Sequence, residues 1–148
     1  MIVILTRSVD TALRLLIYLA LADGKDRYLK ARQIEFDLKI PPFALRKILW
    51  SLTRGGLLRS VPGRGGGFRL RRRPREISVA EVMAVVEGPV VAYSCRGVDD
   101  NCELSGRCNV APIYQTLESE LQRLLSRYSI QDCLPSGLAI QDTGGRQG

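Results

Sequence analysis

Residues 40–70 read IPPFALRKILWSLTRGGLLRSVPGRGGGFRL. Within this stretch the apolar pattern changes from helical to extended. Leu45, Ile48, Leu49 and Leu52 recur at helical spacing. Pro42 falls in the first turn, where its missing N–H has no helical partner to lose. Gly55-Gly56 then stop the helix. Leu57–Val61 reads as a strand, Pro62–Gly67 as a glycine-rich tip, and Phe68-Arg69-Leu70 as a return strand alternating apolar and basic residues. The stretch therefore predicts one helix followed at once by a β-hairpin.

On the N-terminal side, a short helix is predicted from about Lys30 to Leu38, with Ile34 and Leu38 inward, broken by Ile40-Pro41-Pro42. Before it, Val9, Ala12, Leu13, Leu16, Ile17 and Ala20 mark a first, largely buried helix. Thr6 or Ser8 would cap it and Gly24 end it. Two short helices joined by a tight turn, the second leading into a hairpin, form a winged helix-turn-helix.

On the C-terminal side, Ser78 should cap a helix running to Glu87, closed by Gly88-Pro89. Residues 93–109 hold cysteines, glycines and few core residues, and read as a loop. A long helix follows from Val110 or Pro112 to Tyr128. Its apolar stripe is longer than the remaining chain can cover. The expected organisation is mainly α with a small β-hairpin wing: a DNA-binding domain over 1–75, a loop and long helix over 76–130, and a flexible tail over 131–148, rich in glycine and polar residues.

The net charge of +7 is unevenly distributed. Residues 1–75 carry 17 Lys and Arg against 5 Asp and Glu, a net of +12; residues 76–148 carry 5 against 10, a net of −5. A basic half points to a polyanionic partner, here double-stranded DNA. No apolar run approaches the roughly 20 residues that span a bilayer, and Met1–Leu5 lack the features of a secretion signal. The expected setting is cytoplasmic, with no membrane partner.

In a helix-turn-helix the N-terminal residues of the second helix meet base edges. Phe43, Arg46 and Lys47 hold those places. An arginine can bond guanine through two N–H groups, and an apolar side chain can pack on a thymine methyl. The competing reading makes the two charges a solvated face and Phe43 a core residue. At the wing tip, Arg64 between glycines suits the minor groove. Arg59, Arg69 and Arg71–Arg73 suit phosphates. A nucleotide loop is a poor rival: position 68 is Phe where G-x-G-x-x-G needs glycine, and no Gly-Lys-Ser/Thr ending is present.

The chain has four cysteines and no histidine. Histidine-based catalysis and imidazole zinc sites are therefore excluded, and nothing else in the sequence suggests an enzyme. Cys95, Cys102 and Cys108 are spaced x6 and x5, wider than the C-x2–4-C of zinc knuckles. Such a loop can wrap an iron–sulfur cluster, which thiolates usually bind. Three thiolates leave one position for Asp10, Glu103, Cys133 or a partner chain. Structural zinc, or unligated thiols acting as a redox switch, are the competing readings.

Asp10-Thr11-Ala12-Leu13-Arg14, the run Gly63–Leu70, Val86-Glu87-Gly88-Pro89 and the three cysteines in order together resemble the IscR/NsrR-type winged-helix regulators: the iron–sulfur cluster assembly regulator and the nitric-oxide-sensing repressor. The resemblance covers roughly residues 5–130. It implies a homodimer in which the long helix is a dimerisation helix crossing its mate. It implies a [2Fe-2S] or [4Fe-4S] cluster on Cys95, Cys102 and Cys108, and operator binding controlled by that cluster. The cluster-assembly regulator supplies a histidine three residues after its last cysteine; Ala111 stands there in this chain. Nitric-oxide-sensing relatives use an aspartate near the start of the first helix, given by the other subunit, and Asp10 matches it. Arg46 and Lys47 stand where the cluster-assembly regulator has acidic and amide residues, so its target sequence does not carry over.

Overall fold

The computed structural model describes residues 6–23, 27–89 and 101–135. The elements run α1 (Arg7–Asp23), α2 (Ala31–Leu38), α3 (Pro42–Arg54), β1 (Leu58–Val61), β2 (Gly67–Leu70), α4 (Val79–Glu87) and α5 (Val110–Ser126). Short 3-10 turns lie at Pro74–Glu76 and Gln131–Cys133. The fold is mainly helical with one antiparallel hairpin, as the sequence predicts.

Thr6, of the two candidate caps, starts α1: its Oγ1 accepts from the Val9 N–H at 3.3 Å. Ser78 caps α4 in the same way, accepting from the Glu81 N–H at 3.1 Å. α2 ends on Lys39 in the left-handed region, φ 51°, which makes the tight turn into α3. Ala12, Leu15, Leu16 and Leu19 of α1 pack with Ile34 of α2 and with the predicted α3 stripe Leu45, Ile48, Leu49 and Leu52, all buried. At about 25 cal/mol per Å² of buried apolar surface, this is the main term holding the helices together.

In the hairpin, Leu58 pairs with Leu70, Arg59 with Arg69, Ser60 with Phe68 and Val61 with Gly67. A further bridge comes from outside the predicted hairpin. Leu29, just before α2, bridges Phe68 through N–H···O bonds of 2.9 and 2.8 Å. This contact explains Gly67, whose φ is 143° and whose Cβ, if present, would lie 2.4 Å from the Leu29 carbonyl oxygen. Gly66 is equally confined: a Cβ there would meet the Val61 carbonyl oxygen at 1.9 Å.

α5 ends at Ser126, two residues before the predicted Tyr128. The chain then turns back onto the body. The Val79 N–H bonds the Tyr128 carbonyl and the Ile130 N–H bonds the Ile77 carbonyl, both at 2.9 Å, and Ile130 is wholly buried in the main core. Cys133 packs on a second small cluster of Val9, Val79 and Met83. Of the tail expected over 131–148, residues 136–148 lie outside the described residues. No helix among the described residues is long and apolar enough to cross a membrane.

Candidate nucleic-acid interface and cysteine loop

α3 buries one face and turns the other outward. Phe43, Arg46, Lys47, Trp50 and Arg54 follow at intervals of three and four residues, so they share one stripe. Phe43 is 81% exposed, which removes the core reading of that residue. Arg46 and Lys47 are exposed beside it. Trp50 is 60% exposed, and the Arg54 guanidinium lies 5.0 Å from its ring centroid. Trp50 and Arg54 are additions to the sequence-based candidates. The signal for them was the same helical spacing, carried one and two turns past Lys47.

The wing stands beside α3 and is braced at its tip. The Lys30 ammonium donates to the Gly63 carbonyl, tying the tip to the residue just before α2. Arg64 is exposed at that tip. A Cβ at Gly65 would meet nothing within 4 Å, so of the three consecutive glycines only this one is open to an outside partner. Arg59 is exposed. Arg69 is half-buried, with its guanidinium 4.8 Å from the Tyr28 ring centroid. Arg72, in the basic run, is held internally: it pairs with Glu81 and donates to the Glu76 carbonyl at 3.2 Å.

Between α3 and the wing lies a groove of about 340 Å³. Leu49 and Trp50 line one wall and Ser60 and Phe68 the other; Glu35 and Arg46 bring opposite charges to it.

The second site is the segment before α5. Cys95 lies outside the described residues. Residues 102–108 form consecutive turns, with Ser105 N–H on the Cys102 carbonyl and Arg107 N–H on the Leu104 carbonyl, each at 3.0 Å. Gly106, at φ 73°, makes the second turn possible. Cys102 is exposed, Cys108 is half-buried, and both are free thiols. The Cys108 sulfur accepts from the Val110 N–H at 3.4 Å, at the first residue of α5. Among the described residues no three Cys, Asp or Glu side chains converge within one chain.

Asp10 sits exposed in the first turn of α1. That turn adjoins the end of α4, since the Thr6 hydroxyl donates to Glu87 Oε1 at 2.7 Å. Asp10 and the end of α4 therefore occupy one end of the body. Glu103 is exposed. Cys133 suits a ligand poorly: burial and then the neighbouring Asp132 carboxylate push its thiol pKa up, which disfavours the thiolate.

A family model described as "Rrf2: Iron-dependent Transcriptional regulator" matches residues 5–136. The chain is 31% identical over 138 residues to the HTH-type transcriptional regulator NsrR of Halalkalibacterium halodurans, covering 93% of this chain and 94% of that protein. It is 33% identical over 103 residues to the HTH-type transcriptional regulator IscR of Photorhabdus laumondii subsp. laumondii, covering 70% and 62%. Among solved structures, CymR (YrzC), the global cysteine regulator of B. subtilis, superposes with TM-score 0.67 over 89% of this chain and 96% of that one, at 20% identity. A winged helix-turn-helix with a basic recognition face, matched over most of its length by this family, is a regulator and not an enzyme: the chain belongs to the Rrf2 family of transcriptional regulators and binds DNA.

Proposed function

We propose that the protein is a homodimeric repressor or activator whose operator binding is controlled by an iron–sulfur cluster, [2Fe-2S] or [4Fe-4S], held by Cys95, Cys102 and Cys108. The carrying observation is the Val110 N–H···Sγ bond to Cys108. Backbone N–H···S bonds of this kind tune the sulfur ligands of iron–sulfur clusters. With Cys102 exposed six residues earlier, the donor set fits a cluster. Bound there, the cluster supplies a centre whose ligation responds to redox state or to a small reactive molecule such as nitric oxide.

The fourth ligand in this reading is Asp10 of the partner subunit. Dimerisation is supported by α5, where Val110, Ile113, Leu117 and Leu124 are 43–65% exposed along one stripe. Such a stripe is unfavourable in water and suits a second copy of the same helix. Asp10 on α1 would then tie one subunit's DNA-binding half to the other subunit's loop. Any change at the cluster alters the spacing of the two α3 helices, a two-state shift. Phe43, Arg46 and Lys47 enter the major groove, Arg64 enters the minor groove, and Arg59 and Arg69 contact phosphates.

Anaerobic purification with visible spectroscopy and iron analysis tests this, comparing wild type with Asp10→Ala. Cluster absorption that changes in the variant supports the ligand set. An unchanged spectrum removes Asp10. Colourless, iron-free protein instead supports a zinc or metal-free thiol switch, a reading to which the exposed Cys102 thiol lends itself.

A further inference from the structure

We infer that Trp50 and Arg54 form a backbone clamp, and that the groove between α3 and the wing seats the DNA strand running between the major and the minor groove. This inference rests on the reading that α3 enters the major groove and the wing the neighbouring minor groove. If both do, one sugar-phosphate strand must cross the space between them. Trp50 stands on the wall of that space.

The helix geometry agrees. At 1.5 Å per residue, Trp50 lies about 10 Å and Arg54 about 16 Å along α3 from Phe43. The major groove is only about 12 Å wide. When Phe43, Arg46 and Lys47 face base edges, the last turns of α3 stand over the groove's phosphate wall. The occupant is also set by charge. Arg46 on the groove wall and exposed Arg54 on the same stripe bring two cations to it, against Glu35 alone on its lining.

The two side chains divide the work. An indole offers a flat apolar face and one N–H donor, suited to the deoxyribose and its phosphate. A guanidinium stacked on a ring keeps its N–H fork for other acceptors. Arg54, over the Trp50 ring, is thus pre-positioned for a phosphate oxygen with less side-chain freedom to lose on binding. Burying the exposed indole against sugar adds an attraction that salt does not screen. The contact strengthens binding without reading sequence.

Trp50 is the single tryptophan of the chain, so its fluorescence reports on this contact alone. The probe is a duplex selected from a random-sequence pool by the 148-residue protein, with cluster reconstituted. Acrylamide should quench Trp50 freely in the unbound protein and much less in the complex. Trp50→Ala should weaken binding about tenfold, and Trp50→Phe, which keeps a ring under Arg54, far less. Arg54→Ala should lower the slope of log affinity against log salt by about 0.9, one phosphate contact. Circular dichroism of the variants should match wild type, since the indole is largely exposed.

Selective DNA binding with Trp50 as open to acrylamide as before, and with Trp50→Ala at wild-type affinity, would overturn the clamp while leaving the DNA-binding reading intact. Protection of Trp50 that appears with protein concentration alone would assign this face to a second copy and also overturn it. Failure of the wild type to select any duplex strikes the reading beneath the clamp, a result distinct from both.

Discussion

Arg59 on β1 stands directly opposite Arg69 on β2, two cations paired across the wing. Like charges so placed destabilise a hairpin. Arg69 relieves part of the strain by stacking on Tyr28. Arg59 is exposed, where a phosphate of bound DNA would further offset the repulsion. Arg59→Thr removes the repulsion and introduces a strong strand former. We expect it to raise stability by about 0.3 kcal/mol in urea unfolding, while DNA affinity falls and its salt slope drops by about 0.9. A variant gaining stability with an unchanged salt slope would free Arg59 from any phosphate contact.

The glycines of the wing separate by role. Gly66→Ala forces a Cβ onto the Val61 carbonyl and should cost about 2 kcal/mol or more through a displaced wing. Gly65→Ala meets nothing nearby and should change stability by less than about 0.5 kcal/mol. It should nonetheless weaken DNA binding, because the added methyl stands between the wing backbone and its partner. Denaturant midpoints and duplex affinities for the two variants check the distinction.

Tyr18 links α1 to α2 by donating to Asp37, which also accepts from Gln33 Nε2 at 2.7 Å. Burial first, and then this bond to Asp37, raise the Tyr18 pKa from 10.0 to about 12. The fold favours the neutral phenol. Its contribution is therefore complete below pH 10 and is lost as the pH rises towards 12. Tyr18→Phe should lose about 1 kcal/mol at neutral pH. The difference from wild type should shrink between pH 10 and 12, as measured by urea unfolding across that range.

Two free thiols should react at different rates. Cys102 is exposed, whereas Cys133 is half-buried with its pKa raised by burial and by Asp132. In cluster-free protein at pH 7, iodoacetamide should label Cys102 well before Cys133, followed by peptide mass mapping. Faster labelling of Cys133 would restore it as a candidate ligand.

Much of this fold was legible in local pattern. The α3 stripe, the Gly55-Gly56 stop and the Ser78 cap are short-range features, and each appears where its spacing puts it. What was hidden is non-local. The Leu29–Phe68 bridge joins residues far apart in sequence, so the close approach that confines Gly67 is not visible in the glycine-rich tip itself. Arg72 looked like a phosphate contact because its partner Glu81 lies in the acidic half. Ile130 looked like the edge of a tail, yet its backbone pairs with Ile77 and its side chain completes the core. At the site, Phe43, Arg46 and Lys47 followed from helix position. Trp50 lies on the same spacing one turn further on, beyond the first turns of the helix that meet base edges. The cysteine spacing was plain in sequence, but the Val110 N–H on Cys108 is a matter of geometry.

The central claim is that a cluster on the Cys95–Cys102–Cys108 loop governs DNA binding. The direct measurement is the affinity of anaerobically prepared protein for its selected duplex, with the cluster intact and after its removal, at one fixed salt concentration. The account predicts cluster-dependent iron in the protein and an affinity change of about tenfold or more between the two forms. Equal affinity for the duplex in both forms, or protein that never takes up iron, would contradict it.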